Sequence, residues 1–76
     1  MQVHLAPRIV VDHAVCFGKP VIEGTRVPVE LIVGQLAGGL TPEDVSREYD
    51  VTIDDVRAAL AYAAEVLASD EVRGVS

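Results

Sequence analysis

The chain has 76 residues and one cysteine, Cys16, which bounds it to a single small domain with no internal disulfide and no cysteine cluster for structural zinc. Half of its residues are hydrophobic but only 4% are aromatic. That excludes disorder, and it excludes an aromatic stacking platform for single-stranded nucleic acid. The formal charge of −6 falls entirely in residues 41–76, which hold nine acidic and three basic groups against three of each in residues 1–40. An acidic half repels nucleic acid at long range and attracts basic partners.

A domain of this size buries only about 60% of the surface its unfolded chain exposes. Self-association or a partner chain is therefore the expected source of further stability. No secretory signal is evident and no apolar run reaches the roughly 18 residues of a membrane span. A cytoplasmic location without membrane contact is expected.

In chain order, the β-branched run Ile9-Val10-Val11, closed by Asp12, reads as a short strand. Pro20-Val21-Ile22 and Thr25-Arg26-Val27 flank Glu23-Gly24, which predicts a tight hairpin. Pro20 lacks the N–H for a ladder bond, so the sheet is small, with an open edge expected near Ile9, Val10 and Val11. From Pro28, suited to the first helical position, Val29, Ile32, Val33, Leu36 and Leu40 recur on one helical face. Gly38-Gly39 supplies the stop, and Gly34, Ala37 and Gly38 leave the other side of the helix small.

Thr41-Pro42-Glu43-Asp44 is a helix start with Thr41 as cap, Val45 and Tyr49 inward, and an end near Asp50. Thr52 caps a third helix, with Asp54 and Asp55 complementing the positive end of its dipole. Ile53, Val56, Leu60, Ala63 or Ala64, and Leu67 form its main apolar stripe; Ala59, Tyr62 and Val66 form a second. A helix apolar on two sides has more to cover than its own core. The predicted fold is mainly α: a three-helix, helix-turn-helix-like domain (homeodomain- or winged-helix-like) with a small N-terminal β-hairpin or strand element. Residues 8–27 form the β element, 28–70 the three-helix bundle with the helix-turn-helix, and 71–76 a frayed tail of one domain spanning 1–76.

Chemical sites fare poorly. Gly18-Lys19 is not a Walker loop, because His13 stands where the earlier glycine belongs and Pro20 where Ser or Thr belongs. His13 and Cys16 lack a second pair for a tetrahedral metal set, and a Cys–His dyad lacks an orienting third group. The carboxylates sit where helix starts want them. No catalytic, metal or cofactor residue is assigned. In a helix-turn-helix the start of the third helix meets the bases, which makes Thr52 and Arg57 candidate DNA contacts, although Asp54 and Asp55 beside them oppose phosphate. Arg26 is read as a guanidinium that ties loop carbonyls together or as an interface arginine.

The stretches "DHAVCFGKPVIEGTRVPVELIVGQLAGGLTPEDV" and "YDVTIDDVRAALAYAAE" resemble domain-of-unknown-function family 433 over residues 8–67. Gly18, Pro20, Gly24, Thr25, Arg26 and Pro28 carry its signature, and Asp12, Cys16, Lys19, Ile22, Val29, Gly39, Pro42, Glu43 and Tyr62 fall into the same pattern. His13 and Phe17 depart from it, where proline and glycine are frequent. The resemblance implies a helix-turn-helix-like domain, commonly dimeric, in a family many of whose members look like VapB-type antitoxins that occlude PIN-like ribonuclease toxins.

The expected function is therefore a non-catalytic antitoxin-like protein, homodimeric, that neutralises a PIN-like ribonuclease and acts on its own operator DNA. A helix-turn-helix transcriptional regulator is the alternative, and a small His13/Cys16 enzyme a distant third. Ile9, Val10, Val11, Ala59, Tyr62 and Val66 are the candidate partner or dimer surface.

Overall fold

The computed structural model describes residues 1–69. The tail expected at 71–76 lies outside the described residues. Three strands, β1 (Gln2–Ala6), β2 (Ile9–Asp12) and β3 (Val21–Ile22), precede three helices, α1 (Val29–Ala37), α2 (Pro42–Tyr49) and α3 (Ile53–Ser69). The strands form one antiparallel sheet in the order β1-β2-β3.

β1 is absent from the expectation, although Val3 and Leu5 alternate with Gln2 and His4 as a half-buried strand requires. Its partner is β2, with Val3 opposite Val11, His4 opposite Val10 and Ala6 opposite Ile9, and a bulge at Leu5 between the last two pairs. The connection is Pro7-Arg8, with Arg8 at φ 67° in the left-handed region. Pro7 fixes the first turn position, and the second must then accept a positive φ that L-residues ordinarily avoid.

β2 is consequently a central strand, which corrects the expectation of an open edge at residues 9–11. Ile9 is fully buried and Val10 nearly so, while Val11 is half-buried opposite Val3. Ile9 and Ile22 pair across the sheet and enter the core with Val29, Ile32, Val45, Val51, Val56 and Ala59. Val10 and Val21 pair on the other face, where Val15 and the Gly24–Arg26 turn lie beside them.

Each helix boundary has a local cause. Pro28 takes the cap position of α1 rather than its first turn, at extended ψ 145°. Gly39 turns the chain out of α1 at φ 109°. Thr41 and Asp44 form a reciprocal capping box at α2, with bonds of 3.1 Å in each direction. Asp50 then turns left-handed at φ 54°, the Val51 N–H donates back to the Ser46 carbonyl, and the chain enters α3. Thr52 and Asp55 repeat the box at α3, with bonds of 2.9 and 3.0 Å.

The third helix buries part of each expected stripe, Val56 of the main one and Ala59 of the second, and leaves the later residues of both outside. Val56 and Ala59 are buried, and Ala58 and Tyr62 pack against the core. Ala59 is thus a core residue, not an interface residue, while Leu60 and Leu67 of the expected main stripe are 42% and 74% exposed. From Ala64 onward every described position is exposed.

Candidate functional site

The signature residues build a turn, and Gly24, Thr25 and Arg26 of it line a shallow concavity with Asp12 and Val15. Ile22 closes a tight turn with Thr25 through a 3.0 Å backbone bond, and Gly24 supplies the required positive φ of 80°. The Thr25 hydroxyl donates to the Ile22 carbonyl at 2.8 Å and accepts from the Val27 N–H at 3.0 Å, so one side chain staples both arms. The second arm is shorter than expected. It contributes the Ile22 N–H to Val27 carbonyl bond and an isolated bridge from Val21 to Pro28, and no strand. The Val29 N–H then donates to the Pro20 carbonyl and anchors the start of α1 to the turn.

Arg26 does not lock this turn through its guanidinium. The side chain is exposed, and no ion pair or side-chain hydrogen bond among the described residues involves it. Its carbonyl does the bonding instead, accepting from the Cys16 thiol at 3.3 Å. Cys16, Phe17 and Gly18 run consecutively at φ 50°, 58° and 81°. Phe17 is 99% exposed there, so the ring contributes nothing to the core while its backbone sits where glycine is cheapest.

Arg8, to which sequence reasoning assigned no role, ties the sheet to the third helix. Its guanidinium lies 3.0 Å from Asp55 and 3.8 Å from Asp54. Burial, the largest single influence on the Asp55 carboxyl, raises its pKa. The Thr52 N–H, the Arg8 bond and the Thr52 hydroxyl together outweigh it, and the net shift is downward. Asp54 and Asp55 are therefore engaged by a cation of their own chain as well as by the helix dipole. The signal available in the sequence was Arg8 after Pro7, an arginine at a turn position.

Thr52 and Arg57 are both exposed along the first turns of α3, beside these two aspartates. No group of three or more His, Cys, Asp or Glu residues is placed to hold a metal among the described residues. His4 instead pairs with Glu23 at 3.0 Å.

An open, mainly apolar groove of about 430 Å³ lies between the start of α1 and the exposed half of α3. Pro20, Val29, Val33, Tyr62, Val66 and Leu67 line it, and the Lys19–Glu30 ion pair of 2.5 Å closes one lip. A second concavity, of about 500 Å³, shares Tyr62 and Val66 with the groove and also contains Leu5 and Glu65. Of the six expected interface residues, the structure brings Tyr62 and Val66 to these surfaces and withdraws Ile9, Val10 and Ala59 into the interior.

Three helices with a small N-terminal antiparallel sheet and an apolar groove define an α-rich domain. The chain belongs to the family described as Protein of unknown function (DUF433), whose profile matches residues 9–63. It is similar to Rv2018 from Mycobacterium tuberculosis, whose crystal structure aligns with a TM-score of 0.64 at 38% identity. That alignment covers 68% of this chain and 24% of the other, so the shared domain spans about a quarter of that protein. No curated protein matches the sequence. Among the described residues no helix is long and apolar enough to cross a membrane.

Proposed function

We propose that this chain is a non-catalytic, antitoxin-like binding module that occludes a PIN-like ribonuclease through the groove between α1 and α3. The observation that carries the reading is the apolar wall of half-buried Tyr62 and exposed Val66 and Leu67, on a helix whose last described turns are exposed among the described residues. A helix left apolar and uncovered in so small a domain is most simply read as a partner's contact. The acidity of the second half supports a partner with a basic face, as a ribonuclease substrate surface has.

The test is co-expression with a PIN-like ribonuclease encoded beside it. Co-purification and loss of nuclease activity are expected, and Tyr62→Ala with Val66→Asp abolishes both while leaving the helical content intact. A neighbouring nuclease that neither co-purifies nor loses activity refutes the proposal.

A helix-turn-helix DNA regulator is the second reading, favoured by the tight left-handed turn at Asp50 between α2 and α3. Against it, Arg57 is the lone cation on the described part of α3, and Arg8 is engaged by Asp54 and Asp55. Promoter DNA shifted at low salt, with the shift lost in Arg57→Ala, would establish this reading over the first.

A further inference from the structure

Arg26 is a cation that the fold leaves without a carboxylate. Arg8, Lys19 and Arg47 each pair with an acid of their own chain. Arg26 is exposed and has no ion pair among the described residues, in a protein of net charge −6. It lines a shallow concavity of about 390 Å³ on the face of the sheet that carries Val10 and Val21, opposite the face whose Ile9 and Ile22 meet the helices. This concavity shares no described residue with the groove between α1 and α3.

A turn with an exposed aromatic is fixed beside it. The Cys16 thiol donates to the Arg26 carbonyl at 3.3 Å, which holds the Cys16–Gly18 turn against the backbone of Arg26. Phe17 is 99% exposed at φ 58°, so the ring gains nothing from burial while its backbone is held where a bulky residue is strained. An exposed aromatic next to an unpaired arginine has the composition of a binding hot spot.

We propose that Arg26 and Phe17 form a second docking surface, which takes a segment of another protein carrying a carboxylate between apolar side chains. The guanidinium receives the carboxylate through paired N–H donors, and Phe17 with half-buried Val15 supplies the apolar contact. Two observations choose this occupant. The concavity is too shallow to enclose a free small molecule, whose sites bury most of its surface, so the carboxylate comes attached to a larger partner. A nucleic acid would need several cations along its backbone. Here Arg26 is single, Asp12 shares its concavity as a carboxylate bonded to the Ala14 N–H, and Glu23 lies in the same turn, bonded to His4. The inference does not rest on the ribonuclease reading, because Tyr62 and Val66 lie outside this surface.

Selection of displayed random peptides on the wild-type chain, with Arg26→Gln as the counter-selecting protein, tests it. The recovered peptides are expected to carry Asp or Glu flanked by apolar residues. One of them, synthesised and titrated into the full chain, shifts the amide resonances of residues 15–18 and 24–27. Replacing its acid by the corresponding amide, or Arg26 by Gln in the protein, weakens binding about tenfold or more. Phe17→Gly also weakens it about tenfold without lowering the melting midpoint. Arg57→Gln, at the other arginine without an ion pair among the described residues, leaves the affinity unchanged. No recovered peptide, recovered peptides without an acid, or equal losses in Arg26→Gln and Arg57→Gln overturn the proposal. So does a single-stranded oligonucleotide that binds the same residues more tightly than the peptide.

Discussion

Asp55→Ala removes two supports at one point. The side chain is only 14% exposed, accepts from the Thr52 N–H at 2.9 Å, and lies 3.0 Å from the Arg8 guanidinium. Losing the capping box at α3 costs about 1 kcal/mol. The Arg8 pair adds about 0.5–1 kcal/mol, kept small because Arg8 is 49% exposed and water screens it. The sum of about 1.5–2 kcal/mol lowers Tm by about 6–16 °C for a domain of this size. Thermal melts followed by circular dichroism at neutral pH measure it.

A double-mutant cycle with Arg8→Ala isolates the ion pair, and a coupling of about 0.5–1 kcal/mol is expected. The pH dependence has a definite sign. The folded-state pKa of Asp55 is lowered, so its contribution is fully present above the ordinary carboxylate range and is lost as pH falls through the lowered folded value. The gap between wild type and Asp55→Ala therefore persists at neutral pH and narrows below about pH 4. Equal melting of the two proteins at neutral pH, or strict additivity with Arg8→Ala, would refute the reasoning.

Two glycines give opposite signs under the same substitution. Gly34→Ala, inside α1 with open space around the added methyl, raises stability by about 0.5–1 kcal/mol. Gly24→Ala has equal space but a φ of 80°, so denaturant titration shows a loss of about 1 kcal/mol. Phe17→Gly relieves a left-handed φ of 58° without uncovering any core, and its midpoint rises or holds. Ile32→Ala, at a fully buried position, costs about 2–5 kcal/mol, enough to show a large unfolded fraction by circular dichroism at ambient temperature.

The helix starts were legible in the residues themselves because they are local. Thr41 and Thr52, each followed three positions later by an aspartate, form capping boxes whatever the rest of the chain does. Gly24 and Gly39 likewise sit at the positive φ their places in the pattern imply. The Gly24-Thr25 turn was legible for the same reason, since its Ile22–Thr25 and Thr25–Val27 bonds span two or three residues.

What sequence left open depends on partners distant in the chain. β2 could be an edge or a centre, and only the return of Gln2–Ala6 along it decides that Ile9 and Val10 are buried. On α3, periodicity ranks the stripe of Ile53, Val56, Leu60 and Leu67 above that of Ala59, Tyr62 and Val66, but it does not say how far along the helix the core reaches. Docking against α1 and the sheet buries Val56 and Ala59 and leaves Leu60 and Leu67 outside. Arg8 found its carboxylates 46 and 47 positions away, a meeting no local pattern encodes. Local chemistry fixed where each element begins and turns; the mutual burial of elements decided which apolar face became interior and which remained a surface.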